Sequence, residues 1–357
     1  MIEKQLFTGN EALAEAAIMA GVEAYFGYPI TPQNEIIEYM SKRMPEEGRV
    51  FVQSESELAA INMVFGGSAT GKRVMTSSSS PGISLMQEGI SYLSCAELPA
   101  VVVNIMRGGP GLGNIAPAQG DYFQATRGGG HGDYRTIVLG PATVQEMADV
   151  MFLAFDLADI YRVVVLVLGD GVLGQMMEPV VLEKKETGRV LPAKDWALTG
   201  CEGRGQKIVK SLNLVVSKLE QVNLDLQKKY KTIEENEVLC EEFSVEDAEL
   251  ILVAYGIASR VVRTVVSRLR KEGIKAGWIR PITLWPYPYK QVAAAAERAR
   301  EILVVELSYG QMLDDVRIAV AGKAPVRFFG RGGGAIPTVD QVYAEAKKIM
   351  RPGKVKG

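Results

Sequence analysis

One glutamate in this sequence stands where a carboxylate could do acid–base chemistry. Glu57 comes shortly after the apolar stretch Val50–Gln53 and opens a segment that soon becomes alanine-rich. The start of a helix carries a partial positive charge, which stabilises a carboxylate placed there. The alternative is structural, because Ser54 or Ser56 could cap the helix while a neighbouring glutamate completes a capping box. The spacing alone leaves both interpretations open.

A threonine that lies between two prolines is the second candidate. The sequence from Tyr28 to Pro32 reads YPITP. Each proline restricts the residue before it to extended geometry, and Pro32 also suits the first position of a helix. The pattern predicts that a strand ends here and that Thr31 is the N-cap of the next helix, with its hydroxyl at the tip of the strand.

An arginine followed by a glycine-rich loop is the third candidate. Arg107 opens the stretch RGGPGLGN, directly after the apolar run Ala100–Met106. The loop has neither the Walker spacing nor the G-x-G-x-x-G spacing of dinucleotide sites, which disfavours a phosphate loop. What remains is an arginine at the end of a buried strand, where a guanidinium suits a bidentate carboxylate contact. The alternative is an ion pair with a nearby aspartate.

Two further polar motifs favour structural roles. Asp170 lies in a Gly-Asp-Gly turn, but no asparagine occurs from Val172 through Leu212 to complete a magnesium and diphosphate motif. The serines Ser77–Ser80 precede Pro81, which fits a helix that starts at the proline with Ser80 as its N-cap. A serine nucleophile would need a base, and the chain has one histidine and no G-x-S-x-G elbow.

An alternation of strands and helices must position these candidates. Short, β-branched, nearly continuous apolar runs predict strands that are buried on both faces, and helical spacing lies between them. This order is typical of an α/β fold with a doubly wound parallel sheet. The predicted strands are Ala24–Tyr28, Val50–Gln53, Arg73–Ser77, Ala100–Met106, Thr136–Leu139 and Val163–Leu168. The predicted helices are Glu11–Ala20, Pro32–Met44, Glu57–Ala69, Ile83–Ser94 and Val144–Ala158.

The rest of the chain divides in two. Residues 181–247 form a polar connector in which Ile208–Glu235 has the pattern of an amphipathic helix, either packed on its own domain or serving as an arm for a partner. Residues 248–357 show a second α/β pattern of domain size. Its predicted strands are Leu250–Tyr255, Ala276–Arg280, Ile302–Glu306 and Val326–Gly330. Its predicted helices are Val261–Lys271, Lys290–Ala299, Met312–Ala321 and Val339–Met350.

Composition excludes several classes of protein. The 357 residues carry a net charge of −2, so the sequence lacks the excess of basic residues that is typical of nucleic-acid-binding proteins. We expect neither a signal peptide nor a membrane span, and therefore a cytoplasmic protein. The three cysteines are far apart and only one histidine is present, so we expect no zinc, no iron–sulfur cluster and no other metal bound by this chain alone.

Several stretches together resemble one family. The segments GNEALAEAAIMAGVEAYFGYPITPQNEI, QSESELAA, MTSSSSPGISLMQEGISYLSCAELPAVVVNIMRGGPGLGN and GGGHGDYRTIVLGPATVQEM are similar to the α subunit of the 2-oxoacid:ferredoxin oxidoreductases. Within the family, the likeness favours the branched-chain enzymes that act on 3-methyl-2-oxobutanoate (2-oxoisovalerate), with the 2-oxoglutarate enzymes a near second. The match is strong from Gly9 to about Pro179 and looser from Ala248 onward.

The resemblance implies an oxidative decarboxylation. These enzymes convert a 2-oxoacid and CoA to an acyl-CoA and CO2, and they reduce ferredoxin. It implies a pyrimidine-binding domain for thiamine diphosphate over residues 1–180 and a transketolase C-terminal-like α/β domain over residues 248–357. The diphosphate, Mg²⁺ and the [4Fe-4S] clusters would belong to partner subunits of the β, γ and δ type, whose stoichiometry the sequence does not give.

The resemblance also assigns roles to residues. It implies that Glu57 is the catalytic glutamate that binds the aminopyrimidine, beside Pro29 and Ile30. It further implies that Thr31 and Arg107 bind the substrate carboxylate. His131, in GGGHGDYR, could contact the cofactor or CoA, or could merely shape its loop.

Two other functions remain open at this point. The chain could be half of a transketolase-like enzyme or decarboxylase that acts without ferredoxin. It could also be a regulatory or scaffold subunit that kept the fold without the chemistry, although the joint presence of the three candidates argues against this. The residues that select the substrate side chain are not identified.

Overall fold

The fold is given by a computed structural model that describes residues 4–350. The chain begins with alternating strands and helices as far as residue 180. The strands are β1 Gln5–Thr8, β2 Ala24–Gly27, β3 Val50–Gln53, β4 Val74–Ser78, β5 Ala100–Met106, β6 Ile137–Leu139, β7 Val164–Asp170 and β8 Met177–Val180. The helices are α1 Gly9–Met19, α2 Asn34–Glu46, α3 Glu57–Ala69, α4 Pro81–Cys95, α5 Tyr122–Arg127, α6 Val144–Tyr161 and α7 Gly171–Gln175.

The remaining elements start with a long helix. The helices are α8 Val216–Asn236, α9 Gly256–Lys271, α10 Tyr289–Ala296, α11 Met312–Val320 and α12 Val339–Met350. The strands are β9 Cys240–Phe243, β10 Leu250–Val253, β11 Ala276–Pro281, β12 Thr283–Trp285, β13 Glu301–Glu306 and β14 Val326–Gly330.

A seven-stranded sheet forms the first α/β unit, in the order β12-β6-β7-β5-β4-β2-β3. Every neighbouring pair in it is parallel except β12 with β6. All residues of β4, β5 and β7 are buried, as expected for central strands covered by helices on both faces. The α/β class predicted from the sequence is confirmed.

The second α/β unit has a five-stranded sheet in the order β14-β13-β10-β11-β9. Its pairs are parallel except β9 with β11. Two short strands cross the division expected from the sequence. Strand β9 lies before residue 248 yet pairs in the second sheet, and β12 lies after it yet pairs in the first. The domain limits at residues 180 and 247 therefore stay a prediction.

The connector ends in a helix that starts later than predicted. Residues 181–215 contain neither helix nor strand, and α8 begins at Val216 rather than at Ile208. Leu226, Tyr230 and Ile233 of α8 are buried, so its second half packs on this chain. This supports the interpretation of a helix that lies on its own domain.

The predicted cap at Thr31 is wrong. Helix α2 begins at Asn34, with Gln33 at its N-cap position. The Gln33 N–H donates to the Ile30 carbonyl at 3.0 Å, so residues 30–33 form a turn before the helix starts. Thr31 lies within that turn and is not the cap.

Candidate functional site

The carboxyl ends of β2, β4 and β5 meet at one edge of the first sheet. These three strands are parallel neighbours, so the segments that follow them come together there, as at ligand sites of α/β sheets. Thr31 follows β2, Ser80 follows β4, and Arg107 follows β5 directly. Glu57 begins the helix that follows β3. The topology thus brings the three sequence candidates to one edge.

Glu57 is a buried carboxylate with little to bind. Glu57 is 5% exposed. The Ser56 hydroxyl caps α3 by accepting the Ala59 N–H at 3.2 Å, so the helix does not need the glutamate for a capping box. Between residues 4 and 350, the Ser78 hydroxyl, at 3.3 Å, is its one side-chain hydrogen-bond partner. The carboxylate is therefore free to bind a further donor.

A glycine lets helix α4 approach this carboxylate closely. A Cβ atom on Gly82 would lie 2.4 Å from Glu57 Oε1 and 2.0 Å from Ser78 Oγ. The backbone at the start of α4 therefore packs directly against the two side chains. The sequence analysis missed Gly82, because nothing in SSSSPG indicates which side chain the glycine faces.

Arg107 is a buried guanidinium without a counter-ion. It is 8% exposed, and its Nη1 and Nη2 donate to the carbonyls of Thr31 (2.9 Å) and Leu112 (3.1 Å). Its Nε has no partner, and no carboxylate of the described residues lies within salt-bridge distance. The alternative of an ion pair with an aspartate is thus wrong for this part of the chain. A buried cation without a counter-ion is energetically costly, so the site suits an anionic ligand.

Thr31 contacts Arg107, and its hydroxyl takes part in a weak hydrogen bond. Its Oγ1 accepts a long hydrogen bond of 3.4 Å from Asn34 Nδ2, while its carbonyl binds Arg107. Pro29 is exposed and Ile30 is partly buried, so both lie at the surface of the same loop. The structure therefore places the predicted cofactor and substrate contacts side by side, while their roles stay predictions.

A buried polar network fixes this loop on the sheet. Gln33 is fully buried, accepts the Ser77 hydroxyl at 2.6 Å and donates to the Tyr28 carbonyl at 3.2 Å. The Tyr25 hydroxyl lies 2.6 Å from Ser77 Oγ. The Ser77 hydroxyl thus ties the loop to β4, and its contact with Tyr25 joins β4 to β2, so the position of the loop that carries Thr31 depends on both strands.

Ser80 connects the end of β4 to Arg107. Its Oγ accepts the Arg107 N–H at 3.0 Å, and its hydroxyl donates to Asp121 Oδ2 at 2.6 Å. It occupies the N-cap position before Pro81, as predicted, but its side chain does not bind the helix. Burial raises the pKa of the Asp121 carboxyl above its usual value, although hydrogen bonds from Ser80 and Asn104 oppose the rise. Asp121 is a site residue that the sequence analysis missed.

The Gly-Asp-Gly motif has the structural role that the sequence analysis favoured. Asp170 Oδ1 accepts the N–H groups of Val172 (2.9 Å) and Leu173 (3.1 Å) and thereby caps α7. Burial raises its pKa to about 6, opposed by these N–H groups and that of Ile257. Its Oδ1 thus accepts two N–H groups at the start of α7.

His131 lies apart from the three candidates. The Gly129 N–H donates to Gln87 Oε1 at 3.1 Å, which docks its loop on α4. The histidine lines a cavity of about 420 Å³ together with Cys95 and Leu219, and none of the three candidates lines it. A larger cleft of about 660 Å³, walled by Arg127, Trp285 and residues of α8, also lies away from them.

Two searches of the described residues bear on other classes of site. No group of three or more His, Cys, Asp or Glu residues between 4 and 350 is placed to hold a metal ion. Among the helices of the same residues, none combines the length and the apolar character that crossing a membrane requires.

Comparisons with known proteins point to one family. Residues 15–199 match the family model described as pyruvate flavodoxin/ferredoxin oxidoreductase, thiamine diphosphate-binding. Residues 248–342 match the model described as pyruvate:ferredoxin oxidoreductase core domain II. The chain is 50% identical to the ketoisovalerate oxidoreductase subunit VorB of Methanothermobacter thermautotrophicus, over 97% of each chain. It is 36% identical to the 2-oxoglutarate synthase subunit KorA of the same organism, over 98% of this chain and 100% of the relative.

One solved structure is similar over nearly the whole chain. It is the 2-oxoglutarate:ferredoxin oxidoreductase from Magnetococcus marinus with 2-oxoglutarate, coenzyme A and succinyl-CoA bound, at 27% identity and a TM-score of 0.85. The alignment covers 97% of this chain and 65% of that one, so this chain spans about two thirds of the length of the solved chain. Both the sheet that carries the candidate site and the second α/β unit thus lie within the similarity.

Proposed function

The chain belongs to the 2-oxoacid:ferredoxin oxidoreductase family, as a subunit with a thiamine-diphosphate-binding domain, and we propose that its substrate is 3-methyl-2-oxobutanoate. With its partner subunits it would convert this 2-oxoacid and CoA to a branched acyl-CoA and CO2, and reduce ferredoxin. The identity of 50% to a ketoisovalerate oxidoreductase subunit, against 36% to a 2-oxoglutarate synthase subunit, supports the branched-chain substrate.

The observation that carries the proposal is the buried, nearly unpartnered carboxylate of Glu57. A buried carboxylate needs hydrogen-bond donors, and Ser78 at 3.3 Å is a weak one. The ring nitrogen of an aminopyrimidine, when protonated, is a donor that fits this need. The bare backbone at Gly82 leaves the carboxylate closely enclosed, so the residues present fit the pyrimidine half of thiamine diphosphate.

Each residue then has a task that its position supports. Bound thiamine diphosphate supplies a nucleophilic carbon and an electron sink for loss of CO2 from a 2-oxoacid. Glu57 would hold the pyrimidine and exchange a proton with its ring nitrogen, and its burial would keep water away. Pro29 and Ile30 would form a loop surface that the cofactor contacts.

Arg107 and Thr31 would bind the substrate. The unpartnered Arg107 Nε offers a charge-assisted hydrogen bond to the substrate carboxylate, and the Thr31 hydroxyl offers a second donor. Both groups are fixed by the fold, because Arg107 is clamped by two carbonyls and Thr31 lies in an anchored turn. The positions of both groups thus follow from contacts within this chain.

The remaining components would come from partner subunits. We further propose that Mg²⁺, the diphosphate end of the cofactor and the [4Fe-4S] clusters are bound by partner subunits of the β, γ and δ type. Ferredoxin would accept the electrons from those clusters. We place the assembled enzyme in the cytoplasm.

Glu57→Gln in the assembled complex tests the proposal. The amide keeps the shape of the side chain but cannot exchange the proton, so CoA-dependent viologen reduction should fall by about 100-fold or more. Glu55→Gln is the matched control, because Glu55 is an exposed neighbour whose carboxylate accepts a hydrogen bond from the Ser56 hydroxyl. It should leave turnover unchanged.

The same assay separates the alternatives. Of 3-methyl-2-oxobutanoate, 2-oxoglutarate, pyruvate and indolepyruvate, the first should give the highest kcat/KM. Undiminished oxidation by the Glu57→Gln complex would remove the catalytic assignment. Turnover by this chain alone with thiamine diphosphate would contradict a site divided between subunits, and turnover without an iron–sulfur partner would favour the transketolase-like alternative.

A further inference from the structure

A short segment of the first α/β unit is bound on one side to the second unit. This docking segment comprises residues 119–123. Gln119 N donates to the Leu307 carbonyl at 2.9 Å, and Leu307 N donates back to Gln119 Oε1 at 3.0 Å. Gln119 Nε2 also donates to the Tyr255 carbonyl at 3.0 Å. Gln119 is fully buried, so these bonds are shielded from water.

The other end of the docking segment is held in the same way. The Tyr122 hydroxyl donates to Asp315 Oδ2 at 2.7 Å, and Phe123 N donates to Gln311 Oε1 at 2.7 Å. Gln311 Nε2 returns a hydrogen bond to the Gly120 carbonyl at 2.6 Å. The segment therefore takes its position from the second unit at both of its ends.

Asp121, in the middle of the segment, reaches in the opposite direction. Its Oδ2 accepts the Ser80 hydroxyl at 2.6 Å and Asn104 Nδ2 at 2.9 Å. Asn104 Oδ1 in turn accepts the Ser80 backbone N–H at 3.0 Å, which closes a ring of hydrogen bonds among the three residues. No lysine or arginine of residues 4–350 lies within salt-bridge distance of the Asp121 carboxylate. Its partners are neutral donors that belong to the candidate site.

Ser80 needs such support. Its φ of 21° is unfavourable for a residue with a side chain, and Pro81 follows it at the start of α4. In this conformation its Oγ accepts the Arg107 N–H at 3.0 Å. The serine thus transmits the position of Asp121 to the backbone of the substrate-binding arginine.

We propose that Asp121 is a positioning residue through which the second α/β unit holds Ser80, and thereby Arg107, in place for the substrate carboxylate. This inference rests on the proposed function for the role of Arg107. It assigns the second unit a part in substrate binding, although that unit contributes none of the three candidates.

Steady-state kinetics of the assembled complex test the inference. Asp121→Ala, which removes the acceptor of two hydrogen bonds, should raise the KM for 3-methyl-2-oxobutanoate by about tenfold and leave the KM for CoA unchanged. Asp121→Asn should stay near the wild-type KM, because its amide oxygen can accept the same two bonds. Ser80→Ala should raise the same KM, and the double variant should be no worse than the worse single variant.

A second readout does not depend on activity. In the full-length chain, Asp121→Ala should speed hydrogen exchange of the Arg107 amide, whereas Asp121→Asn should not. Asp159→Ala is the control for general destabilisation, because Asp159 is equally a hydrogen-bonded acid but pairs with Arg73 and Lys194 elsewhere in the fold. It should lower Tm without moving either readout.

The outcomes separate this inference from the proposed function. An active complex in which Asp121→Ala leaves both the 2-oxoacid KM and Arg107 exchange unchanged overturns the positioning role. Fully additive effects of the two alanine variants also overturn it. A wild-type complex that oxidises no 2-oxoacid would refute the proposed function instead, and unchanged Arg107 exchange in Asp121→Ala would then still overturn the link through Ser80.

Discussion

Glu57 and Arg107 are opposite charges that the fold buries at one edge of a sheet without pairing them. Within residues 4–350, neither forms a salt bridge and Arg107 Nε has no hydrogen-bond partner. Burial of separate charges opposes folding unless ligands supply the missing partners. At the residue scale, the site is therefore arranged for two ligand groups, a hydrogen-bond donor at the glutamate and an anion at the arginine.

Thr31→Val tests the second substrate contact at this scale. The valine removes a hydroxyl whose one side-chain partner in the described chain is Asn34 at 3.4 Å, so Tm should change little. The KM for the 2-oxoacid should rise by about tenfold if the hydroxyl binds the substrate carboxylate. Thr70→Val, at an exposed threonine that donates to the Gly67 carbonyl, is the control. An unfolded variant, or a lower Tm at constant KM, would limit Thr31 to a structural role.

At the scale of elements, helices α3 and α4 pack through two glycines. A Cβ on Gly82 would meet Glu57, and a Cβ on Gly89, two turns later, would lie 2.5 Å from Ile61 Cγ2. Bare backbone at both positions lets α4 lie unusually close to α3. The close approach brings the start of α4 to the carboxylate, so helix packing and site geometry depend on the same contact.

Gly82→Ala should therefore damage the site more than the fold. The added methyl group cannot fit at 2.4 Å from Glu57 Oε1, so the carboxylate must move and turnover should fall by at least about tenfold. Gly66→Ala in α3 is the matched control, because nothing lies within 4 Å of its added Cβ. That change should keep activity and raise stability by about 0.5–1 kcal/mol. Equal activity of the two variants in the viologen assay would contradict the close contact.

At the scale of the whole molecule, the two α/β units share buried polar contacts. Asp170 ends β7 and caps α7, and the backbone N–H of Ile257, at the start of α9, opposes the rise of its pKa. Gln119 binds the ends of β10 and β13 nearby. Arg280 of the second unit is buried and forms two hydrogen bonds with Glu146 of α6. These contacts join the two units through buried polar groups.

The titration of Asp170 should be visible in thermal unfolding. Its pKa is about 6 in the folded chain against 3.8 when exposed, so the folded state binds the proton more tightly. The associated stability is present below about pH 4 and is lost as pH rises through about 6. Asp170→Asn lacks this titration, so the wild-type Tm minus the variant Tm should fall over that range. A difference in Tm that does not depend on pH would contradict the raised pKa.

The sequence predicted the parts of the fold that follow from local pattern. Continuous apolar runs located β4, β5 and β7, because strands buried on both faces admit few polar residues. The cap at Thr31 was wrong, since a turn stabilised by a contact between Gln33 and Ile30 delays the helix. Asp121 was missed because its partners Asn104 and Ser80 lie 17 and 41 residues away, and no local periodicity records such contacts. The sequence analysis also missed β12, because a strand of three residues is too short to show a periodic pattern.

The pairing of β12 with β6 restricts how this gene can be divided. Strand β12 covers the edge of the first sheet at β6, although β11, two residues before it, belongs to the second sheet. A chain cut between the two units would leave β6 as an open edge, where another chain can add by backbone hydrogen bonding. Gene fission or shuffling at this boundary would thus produce a first half prone to self-association.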